Sequence, residues 1–460
     1  MSALTPDLSP YLEDSSGYKG FAERILTPSG VNELRTVVGE SAANKIPITI
    51  AGAGTGLTGA RVPHGGWIIS LERFRALEIQ KGKARCGVGV TLGELGAAAA
   101  KTRQFFGPNP TETSASIGGI IATNAGGARS FRFGSVRHHV LALEVTFTDG
   151  RTRELKRGDR VDFPYQTLRM PATTKNAAGY CLQPDLQWVD LLSGSEGTLG
   201  IVTEAELQLL PEPAAILSGV VFFPSEEHAL DAVDAWRTVG RLRLLESMDG
   251  RALDLLRPLY SDIPSTAEAA LLIEQDLGSE EDEEVDLWTE RLHGQAALEE
   301  QSWFGFSAAD RERFRAFRHA LPTMIVEKAR RGNTPKFGTD FAVPLDRNRE
   351  LYRYYRQRCS DLFPDQYTIF GHIGDANVHV NLLPNTPKDA ERAEELMEDF
   401  ARYVVSLGGT VAAEHGVGKH KTNLLELMYS ASEIETMKDV KRKLDPDWLL
   451  GRGTIFKYSN

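Results

Sequence analysis

Three glycine-rich loops in the first half of the chain constrain its fold more than any other feature. Ala51–Ala60 reads AGAGTGLTGA and contains Gly54-x-Gly56-x-x-Gly59, the spacing of a dinucleotide-binding turn. That fingerprint needs a strand before it and a helix after it, because the helix N-terminus meets the pyrophosphate. The strand is present as PITIA (47–51). The helix is not: the seven residues between Gly59 and Trp67 include Pro63, Gly65 and Gly66, which break one. The unit is therefore not a Rossmann turn, although Glu72 stands near where an acidic ribose contact would fall. What remains is a run of bare backbone N–H groups able to cradle a diphosphate. The second loop is Gly107–Gly127 (GPNPTETSASIGGIIATNAGG) and the third is Ser193–Ile201 (SGSEGTLGI). Small residues let a flat, extended ligand lie against the main chain. One such cluster is ordinarily a tight turn. Three of them, none opening a helix with Gly-Lys-Ser/Thr, point to one long cofactor stretched across several loops.

The elements around these loops fall into two groups. Residues 22–210 carry short β-like runs at 47–51, 66–71, 139–150 and 200–210, separated by turn-forming clusters. From about 215, strands and helices alternate, which argues for a small α/β domain. The expected elements are a strand at 216–224, a helix capped by Ser225 with Glu226 and Glu227 in its first turn, and strands at 243–249 and 269–276. A second capped helix is expected from 279–282 (SEED), with the acidic run Glu280–Asp286 as its solvated face. Residues 308–332 read as a basic helix with a kink or break at Pro322. Two strands, QYTIFGH and NVHVNLL, a helix at 387–407 and a last helix ending near Lys443 complete the pattern.

Charge and cysteine usage exclude several functions. The net charge of −11 argues against a nucleic-acid partner. No apolar run reaches transmembrane length, and MSALTPDLSPYLEDSSGYKG lacks the basic and apolar regions of a signal peptide. Cys86, Cys181 and Cys359 are too few and too scattered for a disulfide framework, a zinc site or an iron–sulfur cluster. The expectation is a cytoplasmic protein without a transmembrane segment, with peripheral attachment at the inner membrane left open.

The second half carries a polar constellation. His372 and His379 in GHIGDANVHVN are seven apart, and on one straight strand they would face opposite sides. Gly371, Gly374 and Asp375 supply a turn between them. If QYTIFGH and NVHVNLL pair across it, the two imidazoles converge, and His379 and Asn381 share a face. A carboxylate would complete a metal site suited to zinc, manganese or iron. Glu414, in GGTVAAEHGVGKHK, is the candidate. A short strand (TVAA) is expected to deliver Glu414 and His415 to its end, where Gly416 and Gly418 turn the chain away. His64 and His420 read as ordinary satisfied polar residues.

AGAGTGLTG, GPNPTETSASIGGIIATNAGG and GSEGTLGIVTEA resemble, in order and spacing, the FAD-binding domain of the vanillyl-alcohol oxidase / p-cresol methylhydroxylase superfamily. The likeness covers about residues 20–210. It implies FAD contacts at Ala53, Gly54, Thr55, Gly56, Leu57, Thr58, Pro108, Ser116, Gly118, Gly119, Ala122, Thr123, Asn124, Gly127, Glu196, Gly197, Gly200 and Ile201. Members that attach FAD covalently often carry a His inside the first loop; Thr55 stands there, which implies non-covalent FAD. GHIGDANVHVN and AAEHGVG resemble the C-terminal domain of FAD-linked D-2-hydroxy-acid dehydrogenases. That family includes D-lactate dehydrogenases, glycolate oxidase flavin subunits and D-2-hydroxyglutarate dehydrogenases. This second likeness implies that His372, His379 and Glu414 bind a divalent metal and that His415 is the general base. Asn381 is implied as a substrate contact. Arg318, in FRAFRHALP, falls where the family keeps an arginine for the substrate carboxylate, and Lys336, in TPKFGTDFAVP, matches a further contact. Two departures are visible. The family turn Gly-Asp-Gly-Asn has Ala376 here, and its Asn-Pro-Gly-Lys end is replaced by Gly451-Arg452-Gly453-Thr454.

The expected architecture is α+β. A short N-terminal extension (1–20) precedes a two-subdomain FAD-binding domain (21–212). A substrate or cap domain (213–460) with an antiparallel sheet and a C-terminal helical segment follows. The expected reaction is FAD-dependent oxidation of a D-2-hydroxy acid to the 2-oxo acid. A separate electron acceptor is implied: a quinone, an electron-transfer flavoprotein, a cytochrome or an iron–sulfur subunit. A homodimer is left open. The alternatives are a non-catalytic FAD-binding subunit, which the four residues His372, His379, Glu414 and His415 count against, and a metallohydrolase, which leaves the glycine loops unexplained.

Overall fold

The computed structural model describes residues 7–332 and 334–457. The first six residues of the expected N-terminal extension and the last three of the chain lie outside that range. Strands β1 (Arg24–Leu26), β2 (Ile48–Ala51) and β3 (Trp67–Ser70) form a parallel sheet in the order β1-β3-β2. Parallel neighbours require a crossover. The helix Val31–Asn44 supplies it between β1 and β2, whereas β2 passes to β3 through the first glycine loop with no helix at all. The Rossmann reading is thereby excluded in the structure as in the sequence.

Strands β4 (Leu77–Gln80), β5 (Lys83–Gly87), β7 (Val140–Thr146), β8 (Thr152–Lys156) and β9 (Ile201–Gln208) form an antiparallel sheet in the order β4-β5-β9-β7-β8. Along β9, Ile201, Thr203, Ala205 and Leu207 are buried in strict alternation, the mark of a sheet packed on one face. A two-residue ladder joins β6 (Gln104–Phe105) to β10 (Leu210–Pro211). The second glycine loop opens the short helix Ile117–Ala122, whose first turn is capped by Ser116 Oγ accepting from Gly119 N. The third loop is tied to it, with Gly194 N donating to Ile121 O and Glu196 N to Ala122 O at 2.9 and 2.8 Å.

Strands β11 (Ala215–Phe223), β12 (Leu242–Asp249), β13 (Ala269–Leu277), β14 (Trp303–Gly305), β15 (Phe337–Gly338), β16 (Tyr367–His372) and β17 (Asn377–Leu382) build a seven-stranded sheet. Its order is β14-β11-β13-β12-β16-β17-β15, antiparallel at every pairing. Cross-strand partners point to the same face. The registers Ser218↔Glu274, Leu244↔Glu274, Glu246↔Leu272, Met248↔Phe370, Phe370↔His379, His372↔Asn377 and Asn381↔Gly338 therefore define one face. That face carries Ser218, Glu274, Glu246, His372, His379 and Asn381. The long helix Ala308–Gly332 packs on its apolar part, with Phe314, Phe317 and Leu321 against Val220, Phe222, Leu244 and Met248. The opposite face (Val221, Ile273, Leu245, Ile369, Val378, Val380) is buried against Leu230, Tyr355 and Phe400 of the helices Glu226–Trp236, Asn348–Leu362 and Pro387–Ser406.

Three local expectations need correction. SEED does not open a helix: the Asp282 carboxylate accepts from Gly278 N and Glu284 N at 2.8 and 3.1 Å. That turn competes with helix formation, and the helix starts at Asp286. The acidic run is still largely solvated. The helix does not break at Pro322 but continues to Gly332, with Leu321 and Ile325 buried in the core. TVAA is not a strand but a single bridge, Thr410↔Ala342. The backbone N–H of Ala413 donates instead to Asp340 O at 2.8 Å.

The expected last helix is present at Ala431–Leu444, preceded by a short helix at Thr422–Met428. The chain then crosses back to the first half. Leu450 bridges to Ile48 in parallel, and Gly451 N donates to Ile48 O at 2.9 Å. Buried Lys441 holds the crossing by donating to Thr198 O at 2.8 Å and Leu450 O at 3.0 Å.

Candidate active site

The three glycine loops enclose one cavity of about 570 Å³. Ala53, Gly54, Thr55, Gly56, Leu57, Thr58, Ser116, Gly118, Gly119, Ala122, Thr123, Glu196, Gly197, Gly200 and Ile201 line it, as expected. Pro108, Asn124 and Gly127 do not line it. Asn124 is spent on the fold, donating to Asn176 O and accepting from Arg137 N. A Cβ on Gly127 would fall 1.9 Å from Asn109 O, so that glycine serves chain packing. Pro108 is buried in the loop beside it. Residues the sequence did not signal also face the cavity: Pro10, Tyr11 and Asp14 of the N-terminal segment, Val88, Gly89 and Gly451. A cavity lined by the three glycine loops fits a flat dinucleotide cofactor, and Glu414 and His415 stand in its wall.

Glu196 lies in that wall but its carboxylate points to the chain. It accepts from Val417 N and Gly418 N, both at 2.8 Å. Burial pushes its pKa up to about 7 against those two donors. The contact staples the loop after His415 onto the cofactor side. Thr58 strengthens the join, donating through Oγ1 to His415 O and accepting Lys419 N at its carbonyl. Gly418, with φ of 53°, is required there: a Cβ would sit 2.1 Å from Thr58 O.

β16 and β17 bring the two imidazoles together across their turn, with ring centroids 5.5 Å apart. Ala376 takes the left-handed conformation in that turn, φ 53°, which explains why glycine suits the position. His379 Nδ1 donates to Thr339 O at 2.8 Å, leaving Nε2 unprotonated and facing Glu414 Oε2 at 4.0 Å. His372 has Nδ1 2.7 Å from Glu246 Oε1 and Nε2 3.3 Å from Glu414 Oε2. One donor atom from each of His372, His379 and Glu414 falls within 4.8 Å of the others. Two nitrogens and one carboxylate oxygen, with outer atoms fixed by second partners, fit a divalent ion of borderline softness. Burial, then the charge of His372, pushes His379 down to about 4, so it is neutral at pH 7 as a ligand must be. Burial disfavours the Glu414 carboxylate, but His372 and Lys175 outweigh it and hold its pKa well below the usual range.

Lys175, Glu246 and Asp340 complete the site, and the sequence analysis missed all three. Lys175 is fully buried, with Nζ 2.7 Å from Glu414 Oε1 and 2.9 Å from Asp375 Oδ2. It occupies one oxygen of Glu414 and leaves the other to the histidines. Gly126 makes room for this pair, since a Cβ there would lie 2.7 Å from Glu414 Oε1. Asp340 accepts from Glu414 N at 3.1 Å and His415 N at 3.0 Å, and its Oδ2 lies 3.4 Å from His415 Nδ1. Lys421 Nζ shares that oxygen at 2.6 Å. Burial lowers the His415 pKa and Asp340 opposes the shift. The His415 ring stacks at 6.0 Å on that of His379 and opens on the cofactor cavity.

Arg318 does not present a free fork. Its Nε and Nη2 donate to Glu246 Oε2 and Oε1, both at 3.1 Å. Burial opposes ionisation of Glu246, but Arg318 and His372 more than offset it. Arg318 thus supports His372 through Glu246, and its Nη1 stands outside that pair. Lys336 Nζ donates to Asn381 Oδ1 at 3.1 Å. The buried Asn381 Nδ2 has no hydrogen-bond partner, and Lys336 has no carboxylate partner among the described residues.

A glycine-loop cavity for a long flat cofactor, with a Glu-His pair in its wall beside two converging imidazoles, defines an FAD-dependent oxidoreductase of the vanillyl-alcohol oxidase type. Residues 22–156 match the family model for an FAD binding domain, and residues 212–455 match that for FAD linked oxidases, C-terminal domain. The chain belongs to this family of FAD-linked oxidases, among the D-2-hydroxy-acid dehydrogenases. It is 29% identical over 439 residues to a D-lactate dehydrogenase of Archaeoglobus fulgidus, covering 94% of this chain and 91% of the relative. It is 30% identical over 457 residues to a D-2-hydroxyglutarate dehydrogenase of Xanthomonas citri pv. viticola, covering 94% and 90%. Glycolate oxidase subunit GlcD of Bacillus subtilis is 28% identical over 459 residues, covering 95% and 90%. Solved alkyldihydroxyacetonephosphate synthase matches with a TM-score of 0.65 at 16% identity, over 93% of this chain and 76% of that one; it shares the fold. Among the described residues, no helix is long and apolar enough to cross a membrane.

Proposed function

We propose that the protein oxidises a D-2-hydroxy acid to the 2-oxo acid. The supporting observation is that His372, His379 and Glu414 converge within 4.8 Å while Glu414 and His415 stand in the wall of the cofactor cavity. When bound, non-covalent FAD supplies the hydride acceptor, and zinc, manganese or iron supplies the charge that lowers the hydroxyl pKa. His372 and His379 would hold the metal through Nε2, and Glu414 through the oxygen that Lys175 leaves free. Lys336, the unpartnered Asn381 Nδ2 and Arg318 Nη1 would take the substrate carboxylate. His415 takes the hydroxyl proton. Its pKa, lowered by burial, keeps it neutral and basic at pH 7, and Asp340 orients the ring and stabilises the imidazolium that forms.

The cofactor half is proposed as residues 21–212 and the substrate half as 213–460, with the tail from Leu450 onward returning to the first. Electrons would leave to a separate carrier: a quinone, an electron-transfer flavoprotein, a cytochrome or an iron–sulfur subunit. A cytoplasmic location is proposed. The test is anaerobic bleaching of the flavin by paired D- and L-2-hydroxy acids, with and without a chelator. Bleaching by D-acids alone, lost on chelation, is expected. A flavin left oxidised by every D-acid refutes the proposal.

A further inference from the structure

The match to the FAD binding domain begins at residue 22, yet Pro10, Tyr11 and Asp14, which precede it, stand in the wall of the cofactor cavity. They belong to residues 7–20, which fold into a small unit of their own. A single helical turn at Ser9–Tyr11 leads into a hairpin, in which Glu13 bridges Lys19 and Gly20 N donates to Leu12 O at 2.7 Å. Gly17, with φ of 81°, turns it.

This unit lies along the first glycine loop. Ser15 N donates to Gly54 O at 3.2 Å, and Asp14 Oδ2 accepts from Gly59 N at 3.1 Å. The Tyr18 ring covers Gly59, where a Cβ would fall 3.4 Å from Tyr18 Cγ. Arg61 ties the loop to the unit. It donates to Gly52 O at 2.6 Å on the loop, and to Glu13 O at 3.2 Å and Pro10 O on the other side. Tyr11 OH donates to Glu72 Oε2 at 2.8 Å, and Glu72 also lines the cavity. Tyr18 meets His420 edge-on, with ring centroids 4.2 Å apart. The segment therefore spans the loop from Glu72 to the chain that follows His415.

Its anchoring is polar. None of residues 7–20 is fully buried. Leu8, Tyr11 and Leu12 pack only in part against Ile25, Ala51 and Ile68. A segment with so little buried apolar surface opens at small cost without unfolding the domain beneath it. Contact of Pro10 and Tyr11 with a bound dinucleotide would hold it down.

We propose that residues 7–20 are a strap over the cofactor cavity, that FAD enters and leaves only when the strap lifts, and that Arg61 is its latch. The inference needs FAD in the cavity but no particular substrate. Two measurements on the full chain test it. Lys19 is exposed, and trypsin cleavage after it reports the lifted strap, because proteases cut the open form. Saturating FAD should slow the appearance of the fragment that starts at Gly20 by about tenfold or more. In FAD release followed by flavin fluorescence, Arg61→Met should speed dissociation by about 10–100-fold, the range that two or three hydrogen bonds supply. Arg61→Lys should recover part of the loss. FAD should associate with the Arg61→Met apoprotein at least as fast as with the wild type, since a looser strap lifts more readily. A glycine loop merely damaged by the substitution would take up FAD more slowly. Cleavage after Lys19 that ignores FAD, wild-type release from Arg61→Met, or slowed association overturns the strap. A wild-type chain that binds no FAD overturns the cofactor assignment as well. The digestion decides the matter even if a variant fails to fold.

Discussion

Replacing Lys175 with Met tests the site from behind. The ammonium is fully buried and faces two carboxylates, Glu414 at 2.7 Å and Asp375 at 2.9 Å. Methionine keeps the length of the stem and removes the charge, leaving two buried carboxylates close together. Removing one partner of a buried ion pair costs about 3–5 kcal/mol, because the remaining charge is desolvated without compensation. In urea unfolding of the apoprotein, Lys175→Met should therefore lower the apparent unfolding free energy by about that amount. A second effect separates positioning from bulk stability. With Lys175 gone, Glu414 Oε1 loses the group that fixes it, and loss of such an outer partner lowers metal affinity about 10–100-fold. Zinc titration by calorimetry, at a temperature where the variant is folded, reads this directly. Added zinc should also restore part of the lost stability, since an ion bound only by the folded state stabilises it. Wild-type stability together with wild-type zinc affinity would refute the reasoning. So would a large stability loss with unchanged affinity, which would make Lys175 purely structural.

His415→Ala should cost about 10²–10⁴-fold in the rate of flavin reduction while leaving the flavin spectrum intact, and wild-type turnover would remove the base from the mechanism. In the wild type, the acid limb of kcat/KM should fall below the ordinary histidine value, because burial lowers the His415 pKa. Glu196 carries a stability prediction. Its folded pKa of about 7 exceeds its unfolded value of 4.5, so the folded state holds the proton more tightly. The associated stability is present below about pH 4.5 and lost as the pH rises to about 7, by at most about 3 kcal/mol. Glu196→Gln should flatten unfolding free energy between about pH 5 and about pH 7.5; an unchanged slope would contradict the burial argument.

Much of the cofactor side was legible because its chemistry is local. A loop that must expose main chain to a ligand writes itself as glycine and small residues, and fifteen of the eighteen expected contacts line the cavity. Asn124 and Gly127 of the same stretch do not line it; Asn124 is tied to Asn176 and Arg137, and Gly127 makes a close backbone crossing, features that composition does not separate from ligand contact. The histidines were legible because a turn of Gly371, Gly374 and Asp375 between two β-like runs fixes their pairing within a dozen residues. TVAA misled because apolar, β-branched composition suits a strand, while Ala412 N donates to Thr410 Oγ1 and Ala413 N to Asp340 O instead.

The sequence by itself determined the loops that cradle the cofactor, the hairpin that joins His372 to His379, and the types of donor available to a metal. Only the tertiary structure decided which charges face one another. Lys175 meets Glu414 and Arg318 meets Glu246 across sequence separations no local pattern records. The order of strands in the sheet and the return of the tail bring them together. Burial then makes the choice of partner decisive, because a desolvated carboxylate or guanidinium must be matched within a few ångströms or left out of the core. That is why Arg318 is found paired with Glu246, through which it supports His372.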